Sequence, residues 1–348
     1  MSLPGAFQTE PGDSGPSREP RAACRISVIV PTRNRLALLG RALARMRSQA
    51  FDAFEVIVVD DGSSAQTRSA YTGLWESLDA RFTLIELGRP DGPGVGPSVA
   101  RNTGIEAARG GIVTFCDDDD FWTSDTHLSV MDDVFKADSD VDLYIANQSA
   151  VACDGSVERR DWLPALLARV QGLPRSHARG YRLSLEDLVR AGGFAQLNIL
   201  AVRMATARAV GGFWTRTSYE EDRDFFWRAA DAARVVFFNP DLIAQHNVPD
   251  PGRQNNLSRS FSQAERWMIS ALVSQHIALN VRSSLIRTMC EAYEGDILRR
   301  LSQFLSDEGR HALGLQYARR ALAARMSLKW ALYTIALAGR QLLRREAT

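Results

Sequence analysis

Lysine is nearly missing from this 348-residue sequence: of 42 basic residues only Lys136 and Lys329 are lysines, and the rest are arginines. Cysteine is also sparse. Cys24, Cys116, Cys153 and Cys290 lie far apart with no CxxC or other metal-ligand spacing, which argues against a disulfide scaffold. No apolar run reaches the length of a membrane span, and the first two dozen residues lack the apolar stretch of a signal peptide, so a cytoplasmic protein is expected. An excess of one charge sign is missing too. Forty-two basic against 41 acidic residues give a formal net charge of +1, so no overall field recruits nucleic acid or an anionic membrane and ligands must be met by local clusters. What is present is a composition 45% apolar and 24% charged, that of a globular protein with a substantial core. The length predicts two domains, or one large α/β domain with an appendage.

Residues 1–24 mix Pro, Gly, Ser and charge, too little apolar surface to offset ordering entropy, and read as a disordered leader. From Arg25 the pattern changes. RISVIVP is a β-branched run closed by Pro31, as expected of a buried parallel strand. A helix follows with apolar Leu36, Leu39, Leu43 and Met46, then FEVIVVDDGS, a second strand that stops at two aspartates. Strand, helix and strand within about 35 residues make one βαβ unit. The unit repeats through FTLIEL at 82–87, a helix from Pro97 to Arg109 and GIVTFC at 111–116. This alternation predicts a mostly parallel sheet with helices on both faces. Ligands then belong beyond the carboxyl ends of the strands, where Asp60, Asp61 and Asp117 to Asp120 fall. Residues 124–137 and 205–232 read as helical, VDLYIANQS and FAQLNILAV as strands, and 158–190 as less regular. After Leu257 the sequence is continuously helical, with breaks near SSL and DEG, and it ends in a pattern resembling one tetratricopeptide-like hairpin.

Four segments carry chemistry. FCDDDDFW puts four carboxylates directly after a buried strand. Such neighbours repel and raise one another's pKa, a conflict that a hard divalent cation relieves; the competing reading is a solvated acidic turn. An EF-hand loop counted from Asp117 needs Gly and Glu where Trp122 and Leu128 stand, and is excluded. SYEEDRDFFWRAADA opens a helix with Glu220, Glu221, Asp222 and Asp224. Acids there complement the helix dipole, but a carboxylate beside aromatic residues also suits a general base. His246 follows a strand and is either a structural histidine or a ligand. DGPGVGPSVARNTG holds a bare G-x-G without the third glycine of a dinucleotide site and without a helix opening on it, a weak signal.

Read together, ISVIVPTRNR, VIVVDDGS, PSVARNTGIEAARGGIVTFCDDDDFW and AVGGFWTRTSYEEDRDFFWR resemble, in order over residues 25–250, the family-2 inverting glycosyltransferases of the GT-A fold. The resemblance implies an α/β fold of GT-A type, Rossmann-like with a mostly parallel sheet flanked by helices, and a C-terminal α-helical extension. It implies a catalytic domain at 25–257 and a helical region at 258–348. It assigns Pro31, Thr32 and Asn34 to a nucleotide-contacting turn, and Asp61, with Asp60 beside it, to the nucleobase. Asp117 and Asp119 become the outer members of a DxD motif, facing ribose and metal, with Asp118 between them on the nucleotide. Arg101 and Asn102 sit near the donor. Asp222 becomes the general base with Glu221 as its support, and His246, with Asp119 and Asp117, a ligand of Mn²⁺ or Mg²⁺. Two positions depart from the family pattern: Trp214 replaces an acid after Gly-Gly-Phe, where it either stacks on a sugar or packs in the core, and Cys116 replaces a leucine.

The implied reaction is metal-dependent, inverting transfer from a nucleotide-diphosphate sugar to a saccharide or lipid-linked saccharide, in bacterial cell-surface or extracellular polysaccharide or glycoconjugate synthesis. Arg33, Arg101 and Arg253 are the arginines expected to face the diphosphate. A sugar nucleotidyltransferase and a non-catalytic carbohydrate-binding relative are the competing readings. The first would need a glycine-rich basic loop that PTRNR does not supply. The C-terminal helices are expected to pack on the catalytic domain or to form a homodimer contact, with a peripheral contact on the cytoplasmic face of the inner membrane as the alternative. No nucleic-acid partner is expected.

Overall fold

The computed structural model describes residues 24–176, 180–248 and 261–346. The leader at 1–24 therefore lies outside the described residues except for Cys24, as do Arg253 and the boundary at 257/258. The amino half alternates as expected: β1 (Ile26–Thr32), α1 (Leu36–Arg47), β2 (Phe54–Asp61), α2 (Ala65–Glu76), β3 (Phe82–Leu87), α3 (Pro97–Ala107) and β4 (Ile112–Phe115). Then come β5 (Phe121–Trp122), α4 (His127–Ala137), β6 (Val141–Val151), β7 (Val157–Arg159), α5 (Pro164–Val170), β8 (Tyr181–Leu183), α6 (Leu185–Ala191), β9 (Leu200–Arg203) and α7 (Met204–Ala209). The chain continues through α8 (Glu221–Ala232) and β10 (Val235–Asn247) into four helices, α9 (Gln263–Asn280), α10 (Ser284–Asp307), α11 (His311–Ala324) and α12 (Leu328–Glu346).

One sheet runs β3-β2-β1-β4-β9-β6-β10-β5. Its first four strands are parallel, and β1 and β2 are buried almost throughout because helices cover both faces. The other half is mixed: β9 runs antiparallel to β4 and β6, while β6 and β10 are parallel. The mostly parallel expectation thus describes the amino half alone. The mixed half follows from the connection between β4 and β6, which carries the acidic segment and a short antiparallel strand, β5, paired with β10.

Three local readings are corrected. Residues 205–232 form two helices, because Gly211 and Gly212 take φ of 75° and 66° between them and end α7. His246 lies within β10 instead of after it. A helix does open on the G-x-G: Gly96 caps α3, and Pro97 starts it. The helical breaks near SSL and DEG are where α10 begins, on Ser283, and ends, before Gly309.

Candidate functional site

β4 ends at Phe115, and the chain passes through buried Cys116 into the four aspartates at the carboxyl edge of the sheet. Each aspartate has its own partners. Asp117 donates its backbone N–H to Asn198 Oδ1 (2.9 Å) and accepts from Arg101 Nη2 (2.7 Å). Buried Asp118 accepts from Thr32 Oγ1 (2.7 Å) and Arg35 Nη1 (2.9 Å), and Asp119 accepts from the same Arg35 nitrogen at 2.9 Å. Asp120 turns inward, where it accepts from the Asn198 side-chain amide, from His246 Nδ1 (2.8 Å) and from the Asn247 N–H (2.7 Å). Burial raises the Asp118 and Asp120 carboxyls, and Asp119 is pushed up to about 7 by burial and then by Asp120, Asp118 and Asp117. The segment holds more negative charge than Arg35 and Arg101 neutralise.

The turn after β1 is fastened to the turn after β2. Pro31 sits in β1 opposite Val59, and Asn34, at φ 54°, donates its N–H to Ser63 Oγ (2.8 Å) and accepts from the Ser64 N–H (2.7 Å). Asp60 is fully enclosed and occupied by Ser63, Arg68 and Tyr71, so it braces this turn from inside. Asp61 accepts the N–H groups of Val95 (2.6 Å) and Gly96 (2.9 Å) and thereby sets the start of α3. A Cβ at Gly94 would stand 2.6 Å from Asp61 Oδ2 and 2.5 Å from Arg33 Nη1, so a larger residue there would displace both side chains. Arg33 itself donates to Gly92 O at 2.9 Å.

The second acidic cluster meets the first through Arg101. This guanidinium, 5% exposed, donates from Nη2 to Asp117 and from Nη1 to Glu221 Oε1 at 2.9 Å, and it lies over the Phe213 ring. The helix start then sorts its acids. Glu221 faces Arg101. Asp222, half-buried, accepts the Arg223 N–H at 2.8 Å and is pushed up to about 7, by burial first and by Glu221 next. Asp224 points to the back, completely buried against Arg228 (2.9 Å) and His276 Nδ1 (2.6 Å). Glu220, at φ 59°, accepts from Arg223 (3.1 Å), Ser270 Oγ (2.8 Å) and the Tyr293 hydroxyl (3.4 Å). Glu221, Asp222 and Asp224 fill the first turn of α8, where they complement its dipole, although no side chain caps the helix from the N-cap position.

Asn102 holds the Gly-Gly-Phe turn by both ends of its amide, donating to Phe213 O (2.8 Å) and accepting the Phe213 N–H (2.7 Å). Gly212 allows the approach, since a Cβ there would collide with Asn102 Oδ1. Trp214 stacks on His276 with ring centroids 3.9 Å apart and planes at 3°, so one face of the indole is already covered.

Among the described residues no group of three or more His, Cys, Asp or Glu side chains is arranged to hold a metal unaided. The donor chemistry nevertheless fits a hard divalent ion shared with phosphate oxygens, for which one or two carboxylates suffice. Asp119 and Asp117 are the carboxylates that would face such an ion. Asp120 fixes the His246 ring through Nδ1, which leaves Nε2 as its remaining donor. Arg35, Asn198, Asn247 and the orienting role of Asp120 escaped the sequence reading. Only Arg35 had a local signal, standing two residues after the Arg33 expected to do this work.

Residues 27–191 match the family described as Glycosyl transferase family 2. The GalNAc(5)-diNAcBac-PP-undecaprenol beta-1,3-glucosyltransferase of Campylobacter jejuni is 38% identical over 96 residues, 28% of this chain and 30% of that protein. The likeness thus takes in under a third of either chain. Among solved structures, S. aureus TarS 1–349 in complex with UDP-GlcNAc superposes with a TM-score of 0.59 at 19% identity, over 86% of this chain and 81% of that one. Mannosyltransferase PcManGT from Pyrobaculum calidifontis, in complex with GDP-Man and Mn²⁺, superposes with a TM-score of 0.50 at 21% identity, over 91% and 80%. These structures share the fold.

Proposed function

We propose that this chain, whose residues 27–191 match glycosyl transferase family 2, moves a sugar from a nucleotide-diphosphate donor to a hydroxyl acceptor with inversion at the transferred carbon. The observation that carries the reading is the Arg101 bridge between Asp117 and Glu221. It brings the two acidic clusters, one beyond β4 and one opening α8, to the two sides of one cation. One cluster faces the leaving diphosphate, and the other offers a base to the acceptor.

In this reading Thr32, Asn34 and Asp61 shape the nucleotide end of the cleft, and Asp117 and Asp118 the ribose and phosphate region. Asp119, Asp117 and His246 are the residues that would hold Mn²⁺ or Mg²⁺, whose charge offsets that of the departing diphosphate. Arg35 and Arg101 add fixed positive charge in a region with no lysine. Asp222 takes the proton from the acceptor hydroxyl as that oxygen attacks the anomeric carbon in line with the breaking carbon–phosphate-oxygen bond, and Glu221, held by Arg101, keeps Asp222 in place. A carboxyl whose pKa is lifted to about 7 is a stronger base than an ordinary aspartate and is still ionised at neutral pH in a large fraction of molecules.

A UDP-sugar donor is favoured by the fold likeness to a protein solved with UDP-GlcNAc, and a lipid-linked saccharide acceptor by a relative named for an undecaprenol-linked substrate. The setting we assign is bacterial polysaccharide or glycoconjugate synthesis in the cytoplasm, with the catalytic unit at 25–257 and helical support at 258–348. The test is incubation with UDP-GlcNAc, other UDP-sugars and GDP-mannose in Mn²⁺, with and without acceptor. Release of free nucleoside diphosphate supports the reading; with pyrophosphate added, formation of nucleoside triphosphate and sugar 1-phosphate instead would show a nucleotidyltransferase.

A further inference from the structure

On α12 an apolar face is left uncovered among the described residues. On α12, Trp330 and Leu337 turn inward toward Ala318 and Ala321 of α11, with Trp330 Nε1 donating to Ala318 O at 3.0 Å. On its other side Leu328, Leu332, Ile335 and Leu342 follow one another at helical spacing and are between 61% and 78% exposed. A helix with apolar stripes on opposite sides buries one on its neighbour and presents the other to a partner outside the chain. Exposed Lys329 and Arg340 flank the outer stripe, each about 100° to 120° around the helix from Leu328 at 100° per residue.

The charge distribution selects the partner. From Arg310 to the C terminus the sequence has eight Lys and Arg residues and one acid, Glu346, although the whole chain sums to +1. The near-neutral total hides a cationic end, so the absence of a recruiting field holds for the molecule as a whole and fails for this segment. A second copy of the same face would bring two cationic hairpins together with almost no acid between them. An anionic bilayer surface offers hydrocarbon to the leucines and isoleucine and phosphate groups to the cations, whose stems reach past the apolar stripe. No helix among the described residues is long and apolar enough to cross a membrane. We propose that α12 lies in the headgroup region of an anionic membrane, with Leu328, Leu332, Ile335 and Leu342 inserted and Lys329 and Arg340 at the phosphates.

The test is co-sedimentation of the full chain with vesicles of phosphatidylcholine alone and of phosphatidylcholine mixed with phosphatidylglycerol. Binding is expected to the mixed vesicles, weaker on the neutral ones, and reduced by salt. Lys329→Gln with Arg340→Gln should lower partitioning roughly thirtyfold, and Leu332→Glu with Ile335→Glu should abolish it. Both pairs are exposed, so melting temperature should stay at the wild-type value and nucleotide-sugar turnover with a soluble acceptor should be unchanged. Turnover thus reports on the proposed function separately from docking. Equal pelleting with neutral vesicles, no pelleting at all, or unaltered pelleting of the glutamate variant would overturn the proposal. So would a dimer in sedimentation equilibrium that the glutamate variant dissolves while vesicle binding persists.

Discussion

Asp117 and Glu221 accept hydrogen bonds from the two amino nitrogens of a single guanidinium, Arg101, at 2.7 and 2.9 Å. The end of β4 and the start of α8 are therefore held in register by one buried cation, and that cation lowers the proton affinity of the neighbouring Asp222. Arg101→Gln should cut transfer and move the acid limb of the kcat/KM profile to higher pH. A loss of rate with the limb unmoved would mean that Arg101 acts on binding alone. Lysine should not rescue, because one ammonium cannot span both carboxylates in the fork geometry.

In the proposed mechanism Asp222 sets the position of that limb. With its carboxyl lifted to about 7, activity should rise with pH through the neutral region as the base loses its proton. Asp222→Asn should lower kcat by roughly 10²- to 10⁴-fold, the usual span of general-base catalysis, and leave nucleotide binding by calorimetry intact. An asparagine variant with a normal rate would remove Asp222 from the chemistry.

Chelation should bear on the other cluster. EDTA is expected to stop transfer and added Mn²⁺ to restore it, with Asp119→Asn needing more Mn²⁺ for half-maximal rate. His246→Ala should show the same direction, and Asp120→Asn, which frees the ring, a weaker version of it, by up to roughly 10- to 100-fold. Full activity in chelator would contradict the assignment of these side chains to a metal.

Glu220 ties the start of α8 to α9 and α10 through Ser270 and Tyr293. Removing a single hydrogen bond with Ser270→Ala should cost about 1 kcal/mol. Glu220 sits at φ 59°, so Glu220→Gly should be less destabilising than Glu220→Ala by about 1 kcal/mol in urea titrations, since only glycine adopts that conformation without strain. Both variants should lower kcat more than they raise KM, because they loosen Glu221 and Asp222 and not the donor turn.

His127 makes stability pH-dependent. It is buried between Trp122 and Tyr144, neither ring nitrogen has a hydrogen-bond partner, and burial lowers its pKa to about 3. Between the unfolded value near 6.5 and that folded value, the unfolded chain binds a proton that the native protein refuses. This group's contribution is therefore intact above neutral pH and is lost as pH falls, at about 1.4 kcal/mol per pH unit. His127→Phe should flatten the unfolding free energy between pH 7 and pH 5 relative to wild type. Parallel curves for the two proteins would show that the histidine is protonated in the fold.

The amino half was legible because β-branched runs, Pro31 and paired aspartates mark β1, β2 and β4 in single stretches, and the two acidic clusters stood out as local anomalies of charge. What escaped depended on distance along the chain. Asn198 and Asn247 sit on β9's approach and on β10, ordinary polar residues whose meeting with Asp117, Asp119 and Asp120 only the sheet order creates. The break at Gly211 and Gly212 was hidden inside a window whose apolar spacing fitted a helix, although two consecutive glycines are the stronger signal. Two-residue β5 is too short to leave a period. For the C-terminal helices, helical spacing shows that a face is apolar without showing what it covers, so packing on the rest of the chain and pairing with a second copy stay open at the level of sequence. Part-buried ties from Asp224 to His276 and from Glu220 to Ser270 and Tyr293 fasten α9 and α10 to the start of α8.

Those same ties order events in time. A ribosome finishes α8 well before it reaches Ser270, His276 and Tyr293, so the nascent sheet carries Asp224 and Glu220 for an interval of roughly 3 to 12 s at ordinary synthesis rates with their last partners still inside the exit tunnel or unmade. During that interval, of the side chains that meet Asp224 and Glu220 in the finished structure, Arg228 and Arg223 have been made and His276, Ser270 and Tyr293 have not. In the proposed reading the turns after β1 and β2, on the donor side, are therefore made before the ties that fasten the start of α8, and the base side of the cleft is the last to be secured.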